Sequence, residues 1–263
     1  MRTPIYNISP RLHPRAESLR SREMLSQSLE SGLLVPQGLI AYGRGEAFDY
    51  LFGERTIPAA RIAIRAAAAR IILADRPVIS VNGNVASVAA KGVARLSKLT
   101  GADVEINLFY RNQERIRRIS GVLRDAGIRN VLGVDPAYQR RIPELSSERR
   151  RVDSRGIMKA DVVVIPLEDG DRTESLRKMG KLVIAVDLNP LSRTSKSASI
   201  SIVDDIVRVI PQMIDQIRYL NRLTNEEIHI IATSFNNSAN LRSVLSYLTK
   251  RISRLSTKRQ GRK

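Results

Sequence analysis

The stretch Asp161-Val162-Val163-Val164-Ile165-Pro166, continuing as Leu167-Glu168-Asp169-Gly170-Asp171-Arg172-Thr173-Glu174, decides the fold. Its first half is apolar without alternation, as a strand is when both faces of its sheet are covered. Its second half turns abruptly polar, and Arg172–Met179 then reads as a helix. The pattern returns at Leu182–Leu188, an apolar strand running into Asp187-Leu188-Asn189-Pro190-Leu191-Ser192-Arg193-Thr194.

The same alternation extends in both directions. Upstream lie a strand at Pro77–Val81 closed by Asn82-Gly83-Asn84, a helix at Val85–Leu99, a strand at Val104–Phe109, a helix at Gln113–Ala126 and a strand at Val131–Val134. Downstream are a strand at Ser199–Val203 and a helix at Asp204–Leu220. Strands alternating with helices predict an α/β fold: a doubly wound, mostly parallel, Rossmann-like sheet. Helical additions flank it. Residues 14–33 and an alanine-rich run from about Thr56 to Ala74 precede the core. Thr224-x-x-Glu227 reads as a capping box opening a last helix, about 225–252, with a break at Asn236-Asn237. His229 is assigned to that helix's apolar side. Pro36-Gln37-Gly38 reads as a turn. Residues 135–156, with Pro136, Pro143 and Arg149-Arg150-Arg151, read as a polar connection without a motif. The expected organisation is one unit over 1–263: helical segment 12–75, core 76–222, helical segment 223–252 and basic tail 253–263.

With 263 residues, 43% of them apolar, the chain has enough material for a core without staples. The absence of cysteine excludes disulfides, a thiolate nucleophile and cysteine-held metals. Two histidines, His13 and His229, leave little room for a histidine metal centre. No apolar run nears the roughly 20 residues that span a bilayer. The best, Ala66 to Ala74, is cut by Arg70, and no signal-peptide core opens the chain. A soluble, cytoplasmic protein is expected. The net charge is +18, and seven Lys/Arg in 250–263 leave +11 on the remainder. Such a field attracts polyanions. Aromatics are only 4% and Trp is absent, which removes the stacking platforms of single-strand binders. Nucleic acid is therefore expected only non-specifically, through a solvated basic tail.

In doubly wound sheets ligands bind beyond the carboxyl ends of the strands. That rule selects Asn82-Gly83-Asn84, Tyr110-Arg111, Glu168-Asp169-Gly170-Asp171 and Asp187–Pro190. No phosphate loop of the Gly-x4-Gly-Lys-Ser/Thr type occurs. Gly43-Arg44-Gly45-Glu46-Ala47-Phe48 has Phe where a dinucleotide fingerprint needs its third glycine. It reads instead as a flexible anion-binding turn or an ordinary glycine turn. Around Asp187, a carboxylate and an amide can read a nucleoside while Arg193 and Thr194 hold phosphate; a capped turn is the alternative. Glu168 and Asp171 can be hard oxygen ligands for Mg2+, or helix-capping residues. His13-Pro14-Arg15 precedes Arg22, which shares a helix face with Arg15.

Taken in order, these segments resemble one family, archaeal phosphopantothenate synthetase, the 4-phosphopantoate–β-alanine ligase of coenzyme A biosynthesis. The matching blocks include His13-Pro14-Arg15 with Arg22-Glu23, Gly38–Ala41 leading into Gly43–Tyr50, and Val78–Val85. They continue with Glu105–Arg111, Pro166–Glu174, Asp187–Thr194 and Ile202-Val203-Asp204, covering about residues 12–250. The resemblance implies an ATP-dependent condensation of 4-phosphopantoate with β-alanine through an acyl adenylate, releasing AMP and diphosphate. It implies ATP contacts at Arg22, Arg44, Asp187, Leu188, Asn189, Arg193, Thr194, Asp205 and Ile206, and a homodimer. It assigns no catalytic side chain. Asp205 stands where the family commonly has Asn, and Tyr42 where it commonly has His. For the acid substrate we expect Asn82, Asn84 and Arg111, at strand ends. Glu168 with Asp171 is expected to serve Mg2+ or the β-alanine ammonium.

Overall fold

The computed structural model describes residues 15–260 other than 143, 144, 146 and 168. Three helices come first: α1 (Ala16–Glu30), α2 (Pro36–Phe52) and α3 (Pro58–Ile72). The core then runs β1 (Pro77–Val81), α4 (Gly83–Thr100), β2 (Asp103–Ile106), α5 (Gln113–Asp125) and β3 (Val131–Leu132). A small antiparallel pair, β4 (Gln139–Arg141) and β5 (Arg151–Asp153), interrupts it. The core resumes with β6 (Val162–Pro166), α6 (Gly170–Lys178), β7 (Leu182–Asp187), α7 (Arg193–Ser197), β8 (Ile200–Val203) and α8 (Ile206–Leu220). Helices α9 (Asn225–Thr233) and α10 (Asn237–Gln260) follow.

Six strands form one parallel sheet in the order β3-β2-β1-β6-β7-β8, as the doubly wound expectation requires. The strand order reverses between β1 and β6, where Ile79 lies in register with Val164. Alternate strand residues enter opposite cores. Ile79, Val81, Val164, Ile184 and Val186 pack with α3, α4, α5 and α8. Val78, Val163, Ile165, Val183 and Ala185 pack with Leu176 of α6. Among the described residues no helix is long and apolar enough to cross a membrane.

Several elements differ from the sequence reading. The glycine-rich segment is not a turn: Gly43, Arg44 and Gly45 sit inside α2, and Pro36 opens its first turn. The cause is an aromatic stripe. Tyr42, Gly45, Phe48 and Phe52 share one buried face, and the Phe48 and Phe52 rings stack at 4.5 Å. The connection at 135–156 is not merely polar. Ile142, Leu145 and Val152, followed by Ile157, cover the second face of the sheet. The loop at Arg193 contains the short helix α7, capped by Ser192. Thr224 and Glu227 form the capping box, and the last helical segment does break before Asn237. His229 is exposed, because α9 buries Ile228 and Ala232 one turn apart and turns its neighbour outward. Much of the expected basic tail is helical, since α10 continues to Gln260. His13 and Pro143 lie outside the described residues, as do 261–263.

Candidate anion site at the strand tips

At the reversal of strand order, the tips of β1, β6 and β7 open into a cavity of about 460 Å³. Asn82 ties two of these tips together. Its side-chain oxygen accepts the Val85 N–H at 3.1 Å and caps α4. Its amide donates to the carbonyls of Pro166 and Leu167 at 3.0 and 3.2 Å. Leu167 takes a left-handed φ of 52° there, a conformation that costs a leucine about 1–2 kcal/mol. Next to Asn82, a side chain at Gly83 has no room. A Cβ would lie 2.8 Å from the Leu33 carbonyl oxygen and 3.1 Å from Arg115 Nη2.

On the β7 side, the Asp187 carboxylate accepts the Asn189 N–H at 3.1 Å and the Ser192 hydroxyl. It thereby shapes the turn that presents α7. Thr194 is buried at the cavity wall. Arg193, also on the wall, holds Asp171 at 2.6 Å and Glu174 at 3.0 Å. Arg44 of α2 also lines the cavity, and its Nε donates to its own helix at Ala41 O, 3.1 Å. The cavity therefore gathers Arg44, Asn82, Asn84, Asp187, Arg193 and Thr194 from the sequence-predicted set.

Other members of that set lie elsewhere. Leu188 is buried against Phe48, Phe52 and Val203. Asn189 is exposed, and its side chain accepts the Leu191 N–H at 2.9 Å. Arg111 donates to the Gly133 carbonyl at 2.7 Å and does not line the cavity. Ile206 is buried beneath a groove between α4 and α8. Arg22 lies across α2, pairs with Glu46 and lines a second cavity of about 270 Å³. In that second cavity the two departures from the family pattern meet: the Tyr42 hydroxyl donates to the Asp205 carboxylate at 3.0 Å. Burial raises both pKa values. Asp205 also caps α8 through the Val207 N–H at 3.0 Å. Beside it, Arg208 bridges Asp49 and Asp204, each at 2.8 Å.

Glu168 lies outside the described residues, and Asp171 faces a guanidinium. Among the described residues no three His, Cys, Asp or Glu side chains converge as a metal site. The carboxylates among the described residues thus do not gather into a resident Mg2+ centre.

Two cavity residues escape sequence reasoning. Arg115, in the first turn of α5, is buried and donates to the Tyr110 and Leu33 carbonyls. Arg149, from the connection, is buried and pairs with Asp169 at 2.8 Å. Asn112, which caps α5 through the Arg115 N–H, is the one signal that could have placed Arg115 near a helix amino end. Nothing in the Arg149-Arg150-Arg151 run singles out its first member.

Fold and cavity together define a doubly wound α/β protein with an arginine-lined cavity at its topological switch point. A family model described as phosphopantothenate/pantothenate synthetase matches residues 59–251. The chain is 51% identical over 248 residues to the 4-phosphopantoate–β-alanine ligase of Thermococcus kodakarensis, covering 94% of each chain. It is 49% identical to the ligase so named in Thermococcus onnurineus, again over 94% of both. To that of Methanosarcina mazei it is 47% identical, over 92% of this chain and 95% of the relative. The chain belongs to the phosphopantothenate/pantothenate synthetase family.

Proposed function

We propose that this chain is a 4-phosphopantoate–β-alanine ligase that uses ATP, releases AMP and diphosphate, and serves coenzyme A biosynthesis. One observation carries the reading beyond family membership: four arginines, Arg44, Arg115, Arg149 and Arg193, line a single cavity. Joining a phosphorylated acid to a nucleotide needs two anions held together against their repulsion.

The acid's carboxylate oxygen attacks the α-phosphorus of ATP, and diphosphate leaves with the P–O bonding pair. The β-alanine amine then attacks the acyl carbon, AMP departs with that carboxylate oxygen, and the nitrogen loses its proton. Arg44 and Arg193 neutralise charge at the phosphates, as fixed guanidinium forks do. Thr194 and Asp187 meet the adjoining phosphate and sugar, with Leu188 and Asn189 supplying the turn beneath. Asn82 and Asn84 meet the acid. Arg22, Asp205 and Ile206 reach a nucleotide only if α2 moves, because that helix stands between the two cavities. No covalent enzyme nucleophile is needed, and no step is assigned to a metal. A homodimer is part of the same reading, with apolar faces of the last helices as its contact.

Purified protein mixed with ATP, 4-phosphopantoate and β-alanine should form AMP and the amide in equal amounts, and pantoate without its phosphate should react poorly. Formation of ADP, or no AMP, overturns the assignment. Arg44→Ala should lower turnover roughly 100-fold with an unchanged melting temperature. Wild-type rates from that variant remove Arg44 from the site.

A further inference from the structure

Two asparagines stand side by side where the last helical segment breaks, and they do different things. Asn236 caps α10: its Oδ1 accepts the Ala239 N–H at 2.8 Å, and its carbonyl accepts the Asn240 N–H at 3.0 Å. Asn237, the first residue of the helix, is thereby spared from capping, and its side chain turns to the sheet. Its Oδ1 accepts the Ser201 N–H of β8, the edge strand, at 2.8 Å. Its Nδ2 donates to the carbonyls of Ser195 and Ala198 at 2.9 and 3.1 Å, at the carboxyl end of α7. One amide therefore joins α10 to β8 and to α7, which lie 36 to 42 residues earlier in the chain.

We propose that Asn237 is a positioning residue of the ligase, holding α7 so that Arg193 and Thr194 stay in the cavity wall, an inference that rests on the ligase reading. Helix α7 has only five residues, too few for its own bonds to hold its shape. At its start the Ser192 hydroxyl oxygen accepts the Ser195 N–H at 2.9 Å. At its end the carbonyls have no following turn to donate to them. Asn237 meets two of these, and the Ser201 hydroxyl donates to Ser195 O as well. Ser195 and Ala198 are buried, so carbonyls deprived of the amide lose a donor that water does not readily replace.

The support behind Asn237 is itself firm. Leu241 and Val244, four and seven residues on and so on the same helix face, are buried with Phe48 and Phe52 of α2 and Val203 of β8. Helix α10 thus packs against the helix that carries Arg44 and bonds to the helix that carries Arg193. Both arginines line the cavity, whereas Asn237 does not. Its action is through the backbone of α7. Gly170 of α6 packs against Arg193 Cβ at the first residue of that helix, so α7 is restrained at both ends. A long hydrogen-bonded reach from outside the sheet fixes where a short helix presents its guanidinium and hydroxyl, and placement on that scale governs how well a ligand is held.

The test is kinetic, each substrate being varied with the other two saturating. Asn237→Ala, which removes all three bonds, should raise KM for ATP roughly tenfold while KM for 4-phosphopantoate and for β-alanine stays within about twofold of wild type. Asn237→Asp keeps the acceptor for the Ser201 N–H but sets a carboxylate against two carbonyls. It should raise KM for ATP at least as much, and it decides the matter if the alanine variant does not fold. Thr224→Ala, which removes the capping box of α9, is the destabilised control: it should lower the melting temperature and keep the wild-type KM for ATP. The inference is overturned if KM for ATP is unchanged in the Asn237 variants, if all three KM values rise together, or if Thr224→Ala raises KM for ATP equally. Its failure is distinct from failure of the ligase reading, which is seen in the wild-type protein as absence of AMP.

Discussion

Glu105 shows how one side chain fixes a distant part of the cavity. It is fully buried and receives two backbone N–H groups from the connection. Burial raises its pKa from 4.5 to about 7 in the folded protein. The sign follows directly. Below pH 4.5 both folded and unfolded chains carry the proton; between pH 4.5 and 7 the unfolded chain loses it first, so stability falls as pH rises. The loss should total roughly 3 kcal/mol and level off above pH 7. Glu105→Gln removes this titration. Urea unfolding at several pH values should show the variant gaining on wild type by that amount across the window, and a constant gap would contradict the stated environment of Glu105. None of this was legible in the sequence, where Glu105 reads as one polar residue in a strand. Its significance arises because Asp153 and Ile157 fold back onto it, far along the chain.

At the scale of elements, legibility followed periodicity. Val162–Pro166 and Leu182–Asp187 are strands because unbroken apolar runs can satisfy two covered faces, and both stand where the pattern placed them. Helix α2 was misread because its glycines outweighed its stripe of Tyr42, Phe48 and Phe52. Gly45 is buried on that stripe, where a Cβ would make only an ordinary contact with Asp205 Oδ2 at 3.4 Å. The capping box at Thr224 was readable because its signal is wholly local. A close approach that does require glycine joins α6 to α7. A Cβ at Gly170 would sit 2.4 Å from Arg193 Cβ, so Gly170→Ala must push the two helix starts apart. We expect that substitution to raise KM for ATP at least tenfold while KM for β-alanine stays near wild type. Steady-state kinetics decide it, and an unchanged KM for ATP refutes the role given to this contact.

For the whole molecule, the sheet order carries the chemistry. Because β1 and β6 are neighbours, helices leave their tips in different directions, and the space between becomes the cavity. The strand-end rule selects Asn82, Asn84 and Asp187, which line that cavity, from sequence alone. It could not find Arg149, which arrives from a connection with no periodic pattern, nor foresee that α2 would set Arg22 on the far side from Arg193. Charge followed the same division. The basic surplus was evident from composition, but which cations turn inward is decided by long-range packing around Glu105 and Asp169.

We propose that the acid is activated through its own carboxylate. Turnover of 4-phosphopantoate labelled with oxygen-18 in both carboxylate oxygens tests it most directly. One labelled oxygen should appear in every AMP released and the other should stay in the amide carbonyl. Label recovered in inorganic phosphate alongside ADP, or AMP formed without label, would contradict it.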